Sequence, residues 1–354
     1  MHIEDLGFIA KNQDQIKESV NTQQRYGVFL DAWKRKEGYK GSMSFGKKAN
    51  IEYLLRDYYD NGVRKQKVLG QRSPETEKVL ADYLAGREDA EQRLKAAQAN
   101  VARQAGINRA LGLGRVPAIG AKIIRAVDKA GLLGKGVKVI GTNAMFAYEA
   151  ITEVYFPQSV TSTEDIDMMF DARAKIRFAS ADETTAPTII GLLQQVDRSF
   201  IRAPNRFSAN NNDGYIVDLV RPQINPPWKD LPSSISNNSD DLEAIQIGGL
   251  SWHENAPSFE AVAIDTRGEP VRIVAPDPRA FAVHKHWLSK QPDRRPDKRA
   301  RDRCQAALVA AMVAQHMPHL PFDPDQMKSF PRKVVEDAAH LFAASADPAD
   351  QFSF

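Results

Sequence analysis

The alternation of apolar and polar side chains is clearest over residues 163–170. Asp165 and Asp167 stand two apart there, with Ile166 and Met168 at the alternate positions. On a β-strand, residues two apart point to the same face of the sheet. The pattern therefore predicts a strand whose two carboxylates lie on one face while the apolar side chains lie on the other. Two carboxylates aligned in this way can hold a divalent metal ion.

A short apolar strand and the start of a helix are predicted just upstream. Residues 137–140 have the composition of a buried strand, and Gly141, Thr142 and Asn143 then open an apolar helical stretch over residues 144–154. The first turn of a helix presents unpaired N–H groups and partial positive charge, and glycine allows an anion to approach the backbone closely. The hydroxyl of Thr142 adds another donor. We therefore expect a phosphate-binding turn here.

A third carboxylate is predicted on a hairpin further downstream. Residues 206–208 and 215–220 have strand composition and flank the Asn-rich run 210–214, which favours a turn. Asp218 therefore lies in the middle of a predicted strand. If that strand lies beside the one that carries the first two aspartates, three carboxylates meet near the phosphate-binding turn. Such an arrangement can hold two Mg²⁺ ions for phosphoryl or nucleotidyl transfer.

The rest of the chain is predicted to be largely helical, with two further hairpins. Helices are expected over the polar residues 1–35, from Ser73 and Pro74 to about 106, over 121–130, and from Asp277 and Pro278 to about 344. Strand pairs are expected at residues 51–56 with 63–70, and at 259–264 with 271–274. Residues 222–241 have the composition of a loop.

Composition limits the class of protein. At 354 residues the chain can form two or three domains, and its net charge of +3 is too small to indicate nucleic-acid binding by itself. The single cysteine, Cys304, excludes an internal disulfide and is expected to be a small buried residue. His284 and His286 are two apart in a predicted helix and so cannot form a zinc pair. No signal-peptide pattern or membrane-spanning apolar run is found, so we expect a cytoplasmic protein.

The motifs resemble those of a known superfamily. The turn 141–144 before a helix, the pair of Asp165 and Asp167, and then Asp218 resemble the DNA polymerase β-like nucleotidyltransferases. Within that superfamily, four segments are similar to a bacterial family of nucleotidyltransferase-fold proteins of unassigned substrate: 53–56, 69–77, 109–117 and 148–150. The resemblance covers roughly residues 50 to 310.

The resemblance implies an α+β fold with a small mixed sheet and helices on one side of it. We expect a polymerase β-like nucleotidyltransferase core over residues 106–224, preceded by an N-terminal helical region with a β-hairpin over 1–105. A C-terminal hairpin and helical region would follow over 225–354. The nucleotide is expected in the cleft between the core and the C-terminal region.

The resemblance also implies roles for individual residues. Gly141, Thr142 and Asn143 would bind the nucleoside triphosphate. Asp165 and Asp167 would ligate both Mg²⁺ ions, and Asp218 would complete the site of the ion that lowers the pKa of the acceptor hydroxyl. Basic residues on later helices would contact phosphate: Lys285, Arg294, Arg295 and Lys298. The implied reaction moves a nucleoside monophosphate from a nucleoside triphosphate to a hydroxyl of RNA, a protein or a small metabolite.

Each assignment has a structural alternative. An Asp-x-Asp pair by itself is common on exposed strands, and Glu164 and Asp171 beside it are expected to be solvated. The cations of residues 290–303 are also typical of a solvated helix face, in which Lys298 would pair with Asp302. Lys285 would then be an ordinary exposed lysine.

A rival function is a non-catalytic nucleic-acid-binding or regulatory protein on the same fold. Basic residues that could contact a nucleic-acid backbone occur on the first hairpin and beyond it: Arg56, Arg64, Lys65, Lys67, Arg103, Arg109, Arg115, Lys122 and Arg125. Tyrosines that could stack on bases are Tyr53, Tyr58 and Tyr59. Because tyrosines are usual in strands and cations are usual on surfaces, the sequence leaves this function open.

Overall fold

The computed structural model describes residues 7–60, 63–173, 188–224 and 231–343. The chain divides into two compact units. The first unit comprises Met1–Ile16, Gly114–Arg267 and Val271–Phe354, and the second comprises Lys17–Leu113 and Gly268–Pro270. The predicted core and C-terminal region therefore both contribute to the first unit.

The strands of the described chain are β1 (Ile9–Ala10), β2 (Ser42–Lys48), β3 (Ile51–Asp60), β4 (Val63–Gln71), β5 (Val137–Ile140), β6 (Val154–Tyr155), β7 (Asp165–Phe170), β8 (Ile201–Arg202), β9 (Ser208–Asn210), β10 (Ile216–Pro222), β11 (Ile245–Ile247), β12 (Ser258–Ile264) and β13 (Pro270–Pro276). The α-helices are α1 (Gln13–Glu37), α2 (Pro74–Ala110), α3 (Ala118–Lys129), α4 (Thr142–Ala150), α5 (Gln158–Thr161), α6 (Ile189–Val196), α7 (Leu250–Asn255), α8 (Pro278–Ser289), α9 (Pro296–His316) and α10 (Arg332–Ala338). None of these helices is long and apolar enough to cross a membrane.

A mixed sheet of six strands organises the first unit, in the order β5-β7-β10-β9-β8 with β11 also paired to β10. β7 and β10 run parallel, whereas β5 pairs antiparallel with β7 and β9 pairs antiparallel with β10. Together with the helices, this mixed sheet makes the fold α+β.

The two faces of the sheet differ in chemistry because side chains alternate along its strands. Ile166 and Met168 of β7 join Val217 and Leu219 of β10 in the main hydrophobic core. On the other face, Met169 belongs to a small separate cluster made of Ile140, Met169, Val220 and Leu250. The same face carries Asp165, Asp167 and Asp218 on the N-terminal side of that cluster.

The predicted strands near these aspartates are confirmed, and α4 begins where predicted but ends earlier, at Ala150. One difference lies in the second unit. β2 was not predicted, because Gly46 within it and Gly41 before it resemble breaks in the sequence. α2 runs without interruption through Gly86, where an added Cβ would lie 2.3 Å from the hydroxyl oxygen of Tyr39. That glycine makes room for the tyrosine ring and does not end the helix.

The second unit consists of an antiparallel pair of helices and a three-stranded sheet. Thr22 of α1 bonds to Asn108 near the end of α2, while Lys36 near the end of α1 pairs with Glu91. The sheet has the order β2-β3-β4, and both pairings are antiparallel. The predicted turn at Asn61 and Gly62 lies outside the described residues.

Candidate active site

Three carboxylates lie side by side on two parallel strands. The register of β7 and β10 places Asp218 opposite Asp167, and it places Ile216 opposite Asp165. Neighbouring strands lie about 4.8 Å apart, so Asp167 and Asp218 are direct neighbours on one face of the sheet. Asp165 lies two residues before Asp167 on that same face. The structure thus brings together the three predicted aspartates.

The turn between β5 and α4 lies against the central carboxylate. Gly141 has φ of 63°, and a Cβ added there would lie 2.3 Å from Oδ2 of Asp167. Only glycine allows this backbone to approach the carboxylate so closely. The side-chain amide of Asn143 donates to the backbone oxygen of Asp165 at 2.8 Å. The start of α4 and the strand of the aspartates are therefore fixed relative to each other.

Hydroxyl groups hold two of the three carboxylates. Thr163 donates to Oδ1 of Asp165, and Ser208 donates to Oδ1 of Asp218 at 2.6 Å. The carboxylate of Asp167 has no hydrogen-bond partner among the described residues. Sequence reasoning missed both hydroxyl residues, and Ser208 becomes recognisable only from the register of β9 with β10, which places it opposite Asp218.

The three carboxylates of the cluster carry like charges and repel one another. The pKa of Asp167 is raised to about 6, mainly by burial and then by the carboxylates of Asp165 and Asp218. Lys285 and Lys298 oppose this rise. The pKa of Asp218 is also raised, first by burial, although the hydrogen bond from Ser208 lowers it. A cation bound at this face would relieve the repulsion between the aspartates.

The donor chemistry of the site fits a hard divalent cation. Carboxylate oxygens are the ligands that Mg²⁺ prefers in proteins, and three of them lie on adjacent sheet positions. Within the described ranges, no three His, Cys, Asp or Glu side chains already stand in coordinating positions. One oxygen of Asp165 and one of Asp218 are engaged by hydroxyls. The aspartate side chains would therefore have to rotate to coordinate a cation, and their carboxylate oxygens are of the kind that binds Mg²⁺.

Residues of α9 contact the predicted phosphate-binding turn. The hydroxyl of Thr142 accepts hydrogen bonds from Arg301 at 3.2 Å and from Gln305 at 3.1 Å. Arg301 also donates to the backbone oxygen of Ser162. Sequence reasoning missed both residues, yet their spacing carries a signal, because Lys298, Arg301 and Gln305 recur at helical intervals along one side of α9.

The four basic residues that were predicted to contact phosphate fall into different surroundings. Lys285 is buried and donates to Asp302 at 2.6 Å, and Arg294 donates to the other oxygen of Asp302 at 2.8 Å. The alternative that paired Lys298 with Asp302 and left Lys285 exposed is therefore wrong, because Asp302 faces α8. Arg295 pairs with Asp297 at the surface.

Lys298 is exposed and has no ion-pair partner among the described residues. Its charge lowers the pKa of Asp167 and of Asp218, so it lies within electrostatic reach of the carboxylates. Of the four predicted cations, Lys298 is the one available to a bound anion near the aspartates.

Other predicted residues have structural roles. Arg115 pairs with the buried Glu149, and Arg125 pairs with the buried Asp265. Cys304 is buried as predicted, and burial raises the pKa of its thiol to about 11. His284 packs against the ring of His253 with centroids 4.4 Å apart, whereas His286 lies near His340, so the two histidines point to different sides of α8 as predicted.

In this site the start of α4 lies against the three clustered carboxylates. A sequence model of a nucleotidyltransferase family, described as "Nucleotidyltransferase", matches residues 119–330. The match covers more than half of the chain and includes the three aspartates, the turn at Gly141 and the cations of α8 and α9. The chain belongs to this nucleotidyltransferase family, and it is an enzyme that transfers phosphorus-containing groups. No curated protein and no solved structure matches the chain.

Proposed function

We propose that this enzyme transfers a nucleoside monophosphate from a nucleoside triphosphate to an acceptor hydroxyl in a Mg²⁺-dependent reaction. The acceptor oxygen would bond to the α-phosphorus as the bond from that phosphorus to the bridging oxygen breaks, and pyrophosphate would leave. The observation that carries the proposal is the register that sets Asp218 beside Asp167, with the backbone of Gly141 against the same carboxylate. We further propose that the mixed sheet is a polymerase β-like core of the bacterial type. The family membership favours this enzyme over a non-catalytic protein on the same fold.

In this proposal the aspartates hold the metal ions. Asp165 and Asp167 would ligate both ions, and Asp218 would complete the site of the ion that activates the acceptor hydroxyl. Bound Mg²⁺ would neutralise phosphate charge and lower the pKa of the acceptor hydroxyl. Thr163 and Ser208 orient the outer two carboxylates, because each hydroxyl bonds to one carboxylate oxygen and leaves the other free. Asp167 has both oxygens available for ligation.

The start of α4 receives the triphosphate. The partial positive charge of its first turn favours an anion. Thr142 and Asn143 are buried there, and the N–H of Ala144 bonds to the backbone oxygen of Gly141, so the anion would approach from the side of Gly141. Thr142 accepts two hydrogen bonds from α9, so its own hydroxyl proton remains available to a phosphate oxygen. Asn143 stabilises the turn, because its side-chain amide donates a hydrogen bond to the backbone oxygen of Asp165.

Cations of α8 and α9 complete the phosphate site. Lys298 and Arg301 would contact phosphate directly, since both are exposed at the side of α9 that carries the contacts to Thr142. Lys285 and Arg294 both pair with Asp302. They would therefore contribute positive charge to the phosphate site without contacting phosphate directly. Arg295 would contact an outer phosphate after leaving its exposed pair with Asp297.

Incubation with each α-labelled nucleoside triphosphate, Mg²⁺ and cell extract tests the proposed function. We expect label to appear on RNA or on protein, and to be absent when EDTA is added or when Asp165→Asn replaces the wild type. Glu164→Gln is the matched control, because Glu164 is an exposed neighbour on the opposite face of the strand and should not affect transfer. Equal labelling by the wild type and Asp165→Asn would contradict the proposal.

Substitution of Arg301 should weaken nucleotide binding more than it slows the reaction. Arg301→Ala removes a charge-assisted contact at the start of α4, so we expect the KM for the nucleoside triphosphate to rise about tenfold with a smaller change in kcat. Steady-state kinetics measures this split. Arg303→Ala, an exposed arginine two residues further along α9, is the control and should leave KM unchanged. Equal effects of the two variants would contradict the assignment of Arg301.

A further inference from the structure

Positive charge is concentrated in the second unit. Its residues, Lys17–Leu113 with Gly268–Pro270, include 19 Lys and Arg against 13 Asp and Glu, a net charge of +6. The whole chain carries only +3, so the first unit is net negative at −3. Such an asymmetry between units is typical of a chain with one part that binds polyanions.

The sheet of the second unit uses only one of its faces for packing. Leu54 of β3 is fully buried, and Arg56 on the same face lies over the ring of Tyr83 in α2, 4.5 Å from its centroid. The α2 side of the sheet is thus the side that forms the core of this unit.

No residue of the opposite face is buried. This open face consists of Ser42, Ser44, Gly46, Lys48, Ile51, Tyr53, Leu55, Asp57, Tyr59, Arg64, Gln66, Val68 and Gln71. Tyr59 is 68% exposed, Val68 55% and Ile51 43%. Apolar and aromatic side chains exposed together on one surface usually mark an interaction site. Tyr53, on the same face, is half-buried.

Two cations lie on the open face, one near each end of β3. The register of β3 with β4 places Arg64 opposite Tyr59, and Arg64 pairs with Asp57 of the same face at 3.2 Å. Lys48 lies opposite Ile51 at the other end and has no ion-pair partner within the described part of the chain. The open face therefore combines an exposed tyrosine ring with a cation at each end.

We propose that the open face of this sheet binds single-stranded nucleic acid. Bases would stack on Tyr53 and Tyr59, and the backbone would follow Lys48 and Arg64 at the two ends of the face. From Ile51 to Tyr59 the strand is about 26 Å long, which suits a site of about four nucleotides. A protein partner is disfavoured by the charge of this unit, and a lipid surface by the serines and Asp57 on the face. The inference goes beyond nucleotidyl transfer and is independent of it.

Fluorescence anisotropy of the full chain with labelled oligouridylate, oligothymidylate and a duplex of the same length tests the proposal. We expect the single strands to bind and the duplex to bind more weakly, with affinity falling as salt increases. Comparison of the RNA with the DNA shows which strand is the natural ligand. Tyr59→Ala should weaken binding about tenfold, whereas Tyr59→Phe keeps the ring and should bind as the wild type does.

Charge variants separate the open face from the general charge of the unit. Lys48→Ala with Arg64→Ala should weaken binding at least fivefold. Lys78→Ala with Lys95→Ala removes the same charge from exposed sites on α2 and should have little effect. Asp167→Asn should bind as the wild type does, so a failure of binding is distinct from a failure of transfer. Absence of binding at low salt, preference for the duplex, or equal losses in the two charge variants would overturn the proposal.

Discussion

Asp167→Asn is expected to abolish nucleotidyl transfer and, at the same time, to stabilise the metal-free enzyme at alkaline pH. Activity should fall by about three orders of magnitude, because the central carboxylate of the cluster is lost while the fold is kept. Asn occupies the same volume and carries no charge. Transfer of label from a nucleoside triphosphate measures the first effect, and thermal or urea unfolding without metal measures the second.

The sign of the stability effect follows from the pKa of Asp167. It is raised from 3.8 in the unfolded chain to about 6 in the folded protein, so folding favours the protonated acid. The stability contributed by this group is complete below pH 4 and is lost as the pH rises through about 6. At pH 8 the ionised side chain therefore destabilises the metal-free fold, and its replacement by Asn should recover about 3 kcal/mol.

Bound metal should reverse the order of stability of the wild type and Asp167→Asn. With Mg²⁺ and nucleotide present, the wild type should gain stability by binding and the variant should gain much less. Glu164→Gln provides the control, because Glu164 lies on the opposite face and should change neither activity nor the pH dependence. An active Asp167→Asn enzyme would show that this carboxylate does not ligate the metal.

Gly141→Ala is expected to be nearly as damaging to activity. The new Cβ would lie 2.3 Å from Oδ2 of Asp167, a distance that real Cβ contacts do not reach, and the φ of 63° is one that alanine rarely adopts. The turn or the carboxylate must therefore move. We expect at least a hundredfold loss of transfer and a loss of about 2–3 kcal/mol in the free energy of unfolding.

Gly131→Ala separates the two causes of that damage. Gly131 also has positive φ, 75°, but an added Cβ there meets no atom within 4 Å. It should lower the free energy of unfolding by about 1 kcal/mol through backbone strain and leave activity intact. If Gly131→Ala and Gly141→Ala impaired transfer equally, contact between the turn and Asp167 would not be the cause.

The local parts of the site could be predicted from the sequence. Alternation over residues 165–170 gave both the strand and the shared face of two aspartates, and the glycine before an apolar run marked the start of α4. These features depend on neighbours within a few residues, for which backbone geometry sets the rules. β2 was missed for a related reason, since Gly46 looks like a break but packs beneath Leu55 of the adjacent strand.

Contacts between segments that are distant in sequence could be proposed from the sequence but not established from it. The pairing of Asp218 with Asp167 depends on the order of strands in the sheet, which alternation within each strand does not specify. The partners of the cations were open for the same reason, because helical spacing permits Asp302 to pair along its own helix or across to Lys285. Arg301 was missed since its contact with Thr142 joins residues 159 apart in sequence.

The most direct test of the site is a crystal structure of the enzyme with Mn²⁺ and a non-hydrolysable nucleoside triphosphate. We expect an anomalous peak within coordinating distance of Asp165, Asp167 and Asp218, with the triphosphate against the backbone of Gly141 and Thr142. A peak elsewhere, or a nucleotide bound away from the start of α4, would contradict it.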